Sequence, residues 1–226
     1  MTVPLVKEFM EAALVVASKP TVATTDQLRA EVSAGAGASR PLRADARRNR
    51  ARVLEAAVAA FATEGLSVPV HEIARRAGVG TGTVSRHFPT KHALFQAIIT
   101  SRIQQCVDQA RVLAAEKDPG DAFLAFFAYL VEQGAANRGL ADALAGTGFD
   151  IEAAAADAEP DLMAALGDLL DAAQQAGMVR DDVDTADVKA LIQGCMARER
   201  SAADPAALDR MIAIACQGLR ARHASA

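Results

Sequence analysis

Tryptophan is absent from this chain, tyrosine occurs once, and aromatic residues make up only 4% of its 226 residues. All-β cores lean on aromatic and β-branched side chains. A core with so few aromatics is built from Ala, Leu, Val and Ile, the composition of a helical protein. Eight prolines and 15 glycines are modest for this length and exclude collagen-like or low-complexity chains. Apolar residues are 51% of the total, too many for an intrinsically disordered chain. No run of about 18 uncharged apolar residues occurs, so no membrane span is expected. Lys7, Glu8 and Glu11 interrupt the N-terminal apolar residues, which rules out the long apolar region of a signal peptide. Only three cysteines occur, Cys106, Cys195 and Cys216, an odd number at wide spacing. They read as reduced, buried thiols in a cytoplasmic protein and not as a disulfide framework.

What the chain does carry is an uneven charge. The net formal charge is −4. Residues 1–39 hold three basic and four acidic side chains, residues 40–102 eleven and four, and residues 103–226 ten and twenty. The middle block is therefore +7 inside an otherwise acidic protein, a footprint for a polyanion.

Hydrophobic periodicity organises the rest. Residues 1–41 read as an appendage, with a short amphipathic helix at 4–17 followed by a Thr-, Ser-, Gly- and Ala-rich linker. Leu54, Ala57, Val58 and Phe61 fall at i, i+3, i+4 and i+7, which predicts a helix over 45–62, closed by Gly65. Pro69 suits the first position of a second helix, 69–76, with Ile73, Ala74 and Ala77 facing inward. A tight turn at Ala77–Gly80 leads into a third helix, Thr81 to His87, which Phe88-Pro89 ends. Thr90 caps a long helix, 91–116, and Asp118-Pro119 opens one at 119–136 with a Phe123, Phe126, Phe127, Leu130, Val131 stripe. Further helices are expected at 139–145, 160–176, 185–201 behind Asp184, and 205–222 behind Asp204-Pro205, with a loop around Gly146, Gly148 and Phe149. No strand pattern and no internal repeat is found. The fold class is all-α, with a three-helix unit at 42–90 and a helical bundle at 91–226.

Three short helices with a glycine turn between the second and third make a helix-turn-helix. Ala74 is small enough for helices two and three to approach closely, Gly78 sits where the chain needs positive φ, and Val79 plugs the turn into the core. Val84 and Phe88 pack helix three onto helix one. Thr81, Gly82, Thr83, Ser85, Arg86 and His87 are left outward, on a helix of a size that fits the major groove.

The run Arg52-Val53-Leu54, Ala57, Phe61, Gly65, Glu72-Ile73-Ala74, Ala77-Gly78-Val79, Gly82-Thr83-Val84, His87-Phe88, Lys91 and Leu94 resembles the N-terminal domain of the TetR family of bacterial transcriptional regulators. The resemblance covers about a fifth of the chain and agrees at many fixed spacings. It implies a homodimer whose N-terminal domain binds a palindromic double-stranded DNA operator and whose C-terminal domain dimerises and holds a small-molecule inducer. It makes Thr81–His87 the recognition helix and gives phosphate contacts to His87 and Lys91. A helix N-terminus beside a cation suits a phosphate. The basic arm Arg47, Arg48 and Arg50 is placed to reach backbone phosphates or the minor groove. The family usually has Tyr where Ser85 stands and often Ser where Gly80 stands. Ser85 keeps a hydroxyl with less reach, and Gly caps nearly as well.

Other chemistries are poorly supported. Gly78–Thr83 looks superficially like a phosphate-cradling loop, but a helix precedes it and no Lys-Ser/Thr follows. His71 and His87 lack neighbouring ligands, so neither metal nor cofactor is expected. No nucleophile–base or paired-carboxylate constellation stands out, so the chain does not read as an enzyme. Arg75 and Arg76 read equally as DNA contacts or solvated charges. Helical facing nominates Cys106, Phe123, Phe127, Phe149, Met163, Leu166, Gln193 and Met196 as walls of a pocket for an apolar inducer. The stripes of the last two helices nominate Leu191, Ile192, Cys195, Leu208, Met211, Ile212 and Ala215 for the dimer interface. The leading expectation is a ligand-responsive repressor. The alternative is an architectural DNA-binding protein with no inducer.

Overall fold

The computed structural model describes residues 40–145, 147–156, 158, 161–200 and 206–221. Residues 1–39, where an appendage with a short helix is expected, Gly146, and the expected Asp204-Pro205 opening lie outside the described residues. Ten helices are present among those described: α1 (Arg40–Glu64), α2 (Val70–Ala77), α3 (Thr81–His87), α4 (Lys91–Glu116), α5 (Pro119–Ala136), α6 (Arg138–Ala145), α7 (Ile151–Ala156), α8 (Leu162–Gln175), α9 (Thr185–Arg200) and α10 (Ala207–Leu219). Among the described residues the one β feature is an isolated antiparallel bridge, Val179 to Arg220. The chain divides into two compact units, 40–94 and 95–221 among the described residues, with the boundary inside α4.

In the first unit α2 and α3 pack on α1 and on each other. α1 starts five residues before the expected position and takes in Pro41, whose missing N–H needs no partner in a first turn. Its buried stripe is Val53, Leu54, Ala57, Ala60 and Phe61. Val58 is only half-buried. The helix is rotated slightly from the expected stripe because Val53 also turns inward. Gly65 follows with φ 78°. Pro69 takes the cap position of α2, one residue earlier than expected, with φ −74° and ψ 150°.

In the second unit α5 is the central helix, contacted by α6, α8, α9 and α10. Phe123, Phe126, Phe127, Leu130 and Val131 on it are all almost wholly buried. Such side chains each contribute about 1.5–3 kcal/mol on burial. Asp161 caps α8 by accepting from the Met163 and Ala164 amides, both at 2.9 Å. This cap places the helix start two residues after the expected one. Asp184 and Asp187 cap α9 reciprocally: the Asp187 amide donates to Asp184 Oδ1 at 2.9 Å and the Asp184 amide to Asp187 Oδ2 at 3.2 Å. α10 begins at Ala207. The short α7 was not expected. Its neighbourhood is fixed to α4: Phe149 meets Phe95 edge-on at 5.5 Å, and the Gln96 amide donates to the Ala154 carbonyl at 2.8 Å.

Two glycines let methionines settle on α5. A Cβ added at Gly120 would lie 2.6 Å from the Cβ of Met178 and 2.9 Å from its Sδ. A Cβ at Gly134 would meet first the Cε, Sδ and Cγ of Met196. The Met178 segment also forms the bridge region, where the Arg180 amide donates to the Leu219 carbonyl and the Ala221 amide to the Met178 carbonyl, each at 3.0 Å. α10 is therefore tied at its end to the segment that follows α8.

These contacts predict different outcomes for one substitution. Gly120→Ala must move a Cβ fixed to the backbone, and should destabilise by about 1–3 kcal/mol. Gly134→Ala displaces the far end of a flexible chain and gains helix propensity of about 1 kcal/mol, so it should be closer to neutral. Urea denaturation of both variants separates them, and equal losses would contradict the packing described.

Candidate nucleic-acid interface

The site starts from the turn. Gly78 has φ 64° and ψ 37°, a left-handed conformation that glycine adopts without penalty. The Gly78 amide donates to the Arg75 carbonyl at 3.2 Å and the Val79 amide to the Ala74 carbonyl at 3.0 Å, which closes α2. Val79 itself is half-buried, so it plugs the turn less deeply than expected. Gly80 then caps α3 with extended backbone, and the Thr83 amide donates to its carbonyl at 2.9 Å. Ile73, Ala74, Ala77 and Val84 are buried beneath. The periodicity of α3 follows: Val84 points in, and Thr81, Gly82, Ser85, Arg86 and His87 are exposed, with Thr83 half-buried. This is the arrangement expected from sequence except at Thr83, which was expected outward.

The basic residues around α3 divide into two sets. Arg75 donates to Glu72 through Nε at 2.8 Å and Nη2 at 2.7 Å. Arg76 donates to Glu72 at 2.8 Å and, as a two-pronged fork at 2.5 and 3.0 Å, to Glu64 of α1. The side chain of Glu72 is only 23% exposed and accepts from both guanidiniums. Of the two readings open for Arg75 and Arg76, the structure gives both carboxylate partners: Glu72 within α2 for Arg75, and Glu64 as well for Arg76, which ties α2 to α1. Arg48 pairs with Asp45. Arg47 and Arg50 are exposed, and Arg50 lies over the Phe88 ring at 5.6 Å. Arg52 donates to Asn49 at 2.6 Å, and its guanidinium lies beside the turn, 3.7 Å from a Cβ built on Gly78.

Lys91 opens α4 behind the Thr90 cap, whose Oγ1 accepts from the Ala93 amide at 3.0 Å. Its ammonium donates to the Leu66 carbonyl at 2.8 Å. One of its three donors is thus used to hold α4 to the turn that follows α1, a contact across 25 residues that periodicity does not reveal.

The eight residues nominated for a pocket lie in the second unit. Phe123, Phe127, Phe149, Met163, Leu166 and Met196 are buried, while Cys106 and Gln193 are half-buried. Burial pushes the Cys106 thiol up to about 11, with the Arg102 charge opposing, so it is a poor nucleophile. The Nε2 of Gln193 is buried with no hydrogen-bond partner. Two clefts of about 390 Å³ are present, one lined by Gln174, Val179 and Arg180 and the other by Val107, Ala110 and Leu169 among others. None of the eight residues lines either cleft.

Of the residues nominated for dimerisation, Ile192, Cys195 and Ala215 are buried within the chain itself. Leu208, Met211 and Ile212 are half-buried, and Leu191 is 39% exposed. Ile214, which the stripe did not include, is 63% exposed. Its position one turn from Met211 was the signal available in the sequence. No group of His, Cys, Asp and Glu among the described residues could hold a metal ion, and no described helix is long and apolar enough to cross a membrane.

Comparison with known proteins agrees with this geometry. Residues 53–98 match the profile described as bacterial regulatory proteins, tetR family, and residues 118–221 that of the transcriptional regulator SbtR-like C-terminal domain. A TetR transcription regulatory protein from Mycobacterium vanbaalenii has a crystal structure that is similar with a TM-score of 0.67 and 52% identity, covering 80% of this chain and 99% of that one. A TetR transcriptional regulator, SCO0520, from Streptomyces coelicolor is similar with a TM-score of 0.64 and 33% identity, covering 77% and 99%. The uncharacterized HTH-type transcriptional regulator TtgW of Pseudomonas putida is 37% identical over 65 residues, 28% of this chain. The chain spans about half, 48%, of the length of that curated relative.

The carboxylate clamp beneath the site has a pH signature. Hydrogen bonds from Arg75 and then Arg76 hold the Glu72 carboxyl down at about 2 from its ordinary 4.5, and the Arg76 fork lowers Glu64. A depressed carboxyl stabilises the fold above its unfolded value, and that contribution is lost as pH falls through the folded one. The stability gap between the native chain and Glu72→Gln should therefore be full above about pH 4.5 and shrink steadily toward pH 2. Urea titrations across that range test it, and a gap that stays constant would show that the clamp contributes nothing.

Proposed function

The chain belongs to the TetR family of bacterial regulatory proteins, DNA-binding transcriptional regulators, and on that premise we propose that it is a ligand-responsive repressor that acts in the cytoplasm. In this reading it binds a palindromic operator as a homodimer and leaves it when a small, largely apolar inducer occupies the second unit. The observation that carries the reading is the exposed face of α3, Thr81, Gly82, Ser85, Arg86 and His87, on a helix seated by Val84 and the Gly78 turn inside the +7 block. Thr81, Gly82 and Thr83 stand at the N-terminal end of α3, where base edges are read. Ser85, His87 and Lys91 hold the backbone, with Arg86 beside them and Arg47 and Arg48 on the flank.

Two-fold pairing supplies the spacing of about 34 Å, or a multiple, that a palindrome requires. The exposure of Ile214 and Leu191 on α10 and α9 supports pairing through those helices. Their partner would be the same face of a second copy. The unsatisfied Gln193 amide supports a ligand carrying a hydrogen-bond acceptor, since a buried donor without a partner costs about 1–3 kcal/mol. Ligand and operator would then weaken each other by the same factor, as linkage requires.

Selection of bound sequences from a random duplex library at two salt concentrations tests the DNA reading. A palindromic consensus is the expected result. Strongly salt-dependent binding without a consensus would favour an architectural role, and no binding at either salt would overturn the reading. On the selected duplex, His87→Ala should weaken binding to all sequences alike, whereas Thr81→Ala should change the preferred sequence. Ile214→Asp should convert a dimer into a monomer in sedimentation and reduce full-site affinity by at least about tenfold. A variant still dimeric at micromolar concentration would remove α10 from the interface.

A further inference from the structure

Within the +7 block Arg50 is held unlike its neighbours. Arg48 is paired with Asp45, Arg52 with Asn49, and Arg75 and Arg76 with Glu72 and Glu64. Arg50 has no carboxylate in ion-pair range among the described residues. Its guanidinium instead sits 5.6 Å from the centroid of the Phe88 ring. That ring is 5% exposed and belongs to the residue that ends α3, so it is fixed by the core. The same ring faces His87, with centroids 6.1 Å apart and planes tilted by 48°. One buried aromatic thus carries a cation from α1 and the exposed imidazole at the end of α3.

We infer that Arg50 is a pre-positioned contact for a backbone phosphate of duplex DNA, oriented by Phe88. This rests on the DNA-binding reading above and assigns Arg50 a fixed place, where the sequence alone left it in a basic arm aimed at phosphate or minor groove. Attraction to the ring quadrupole uses none of the five N–H donors of the guanidinium. Among the described residues those donors face no neutralising carboxylate, and the side chain is exposed. A planar fork held on a rigid ring loses less rotamer freedom on binding a phosphate than a free arginine does. Phe88 is accordingly a positioning residue, reaching DNA through Arg50.

The test uses the full chain, a duplex recovered by selection, and a scrambled duplex of equal length and composition. Binding is read by fluorescence anisotropy between about 50 and 200 mM salt. Arg50→Gln should lower affinity for both duplexes by about tenfold and reduce the slope of log affinity against log salt by about one. Arg50→Lys should keep the slope and lose part of the affinity. In a Phe88→Leu background that retains its helical content and cooperative melting, the Arg50→Gln loss should shrink, since the arginine is already released. An unchanged slope for Arg50→Gln would make Arg50 a packing residue and overturn the proposal. A loss confined to the selected duplex would overturn it in favour of groove readout. If Arg50→Gln matches the parent on DNA that the parent binds, only this proposal falls. If the parent binds no duplex, the DNA-binding reading falls and takes the proposal with it.

Discussion

A helix of seven residues has no stability of its own in water, because nucleation costs more than so few hydrogen bonds return. The placement of Thr81–His87 therefore depends on what lies at its ends and beneath it. At one end, a left-handed glycine at position 78 closes α2 and allows α3 to start three residues later. At the other, Phe88 is buried to 5% and its amide donates to the Val84 carbonyl at 2.8 Å. Between them Val84 is wholly buried. Two apolar side chains and one glycine convert an unstable peptide into a rigid surface, and the exposed polar residues inherit that rigidity.

Electrostatics follows the same division between support and surface. The middle block is strongly basic in sequence, but its cations are not equivalent. Arg76 ties α2 to α1 through Glu64, while Arg75 pairs within α2 with Glu72, the carboxylate that Arg76 also uses. Exposed ion pairs are individually weak. Here one arginine forks across two helices and shares its second carboxylate with a neighbour, so the pairs act as a single tie. The cations left over are those beside α3.

Much of this was legible in the sequence, and the remainder was hidden for identifiable reasons. The turn, the bounds of α3 and its inward Val84 were legible because glycine, valine and polar positions each carry a distinct local cost. α7 was not, because four consecutive alanines have no amphipathic pattern to read. The start of α1 was misplaced because Pro41 looks like a breaker yet is harmless in a first turn. Facing was the weakest inference. α9 and α10 have broad apolar stripes, and periodicity cannot say which side a neighbouring helix covers. Thus Ile192, Cys195 and Ala215 turned inward while Ile214 remained outside. The Lys91 bond to Leu66 and the Arg50 seat on Phe88 join segments distant in sequence, and no local rule announces them.

The bridge between Val179 and Arg220 has a consequence for the end of α10. A helix ordinarily frays from its last turn, because the final carbonyls have no partners. Here the Leu219 carbonyl accepts from the Arg180 amide, and the Ala221 amide donates back to Met178. Unwinding cannot begin from that side without breaking a tie to a segment some forty residues earlier. The end of the helix that carries the exposed Ile214 is thus held, and a surface docking beside it has less fraying left to remove.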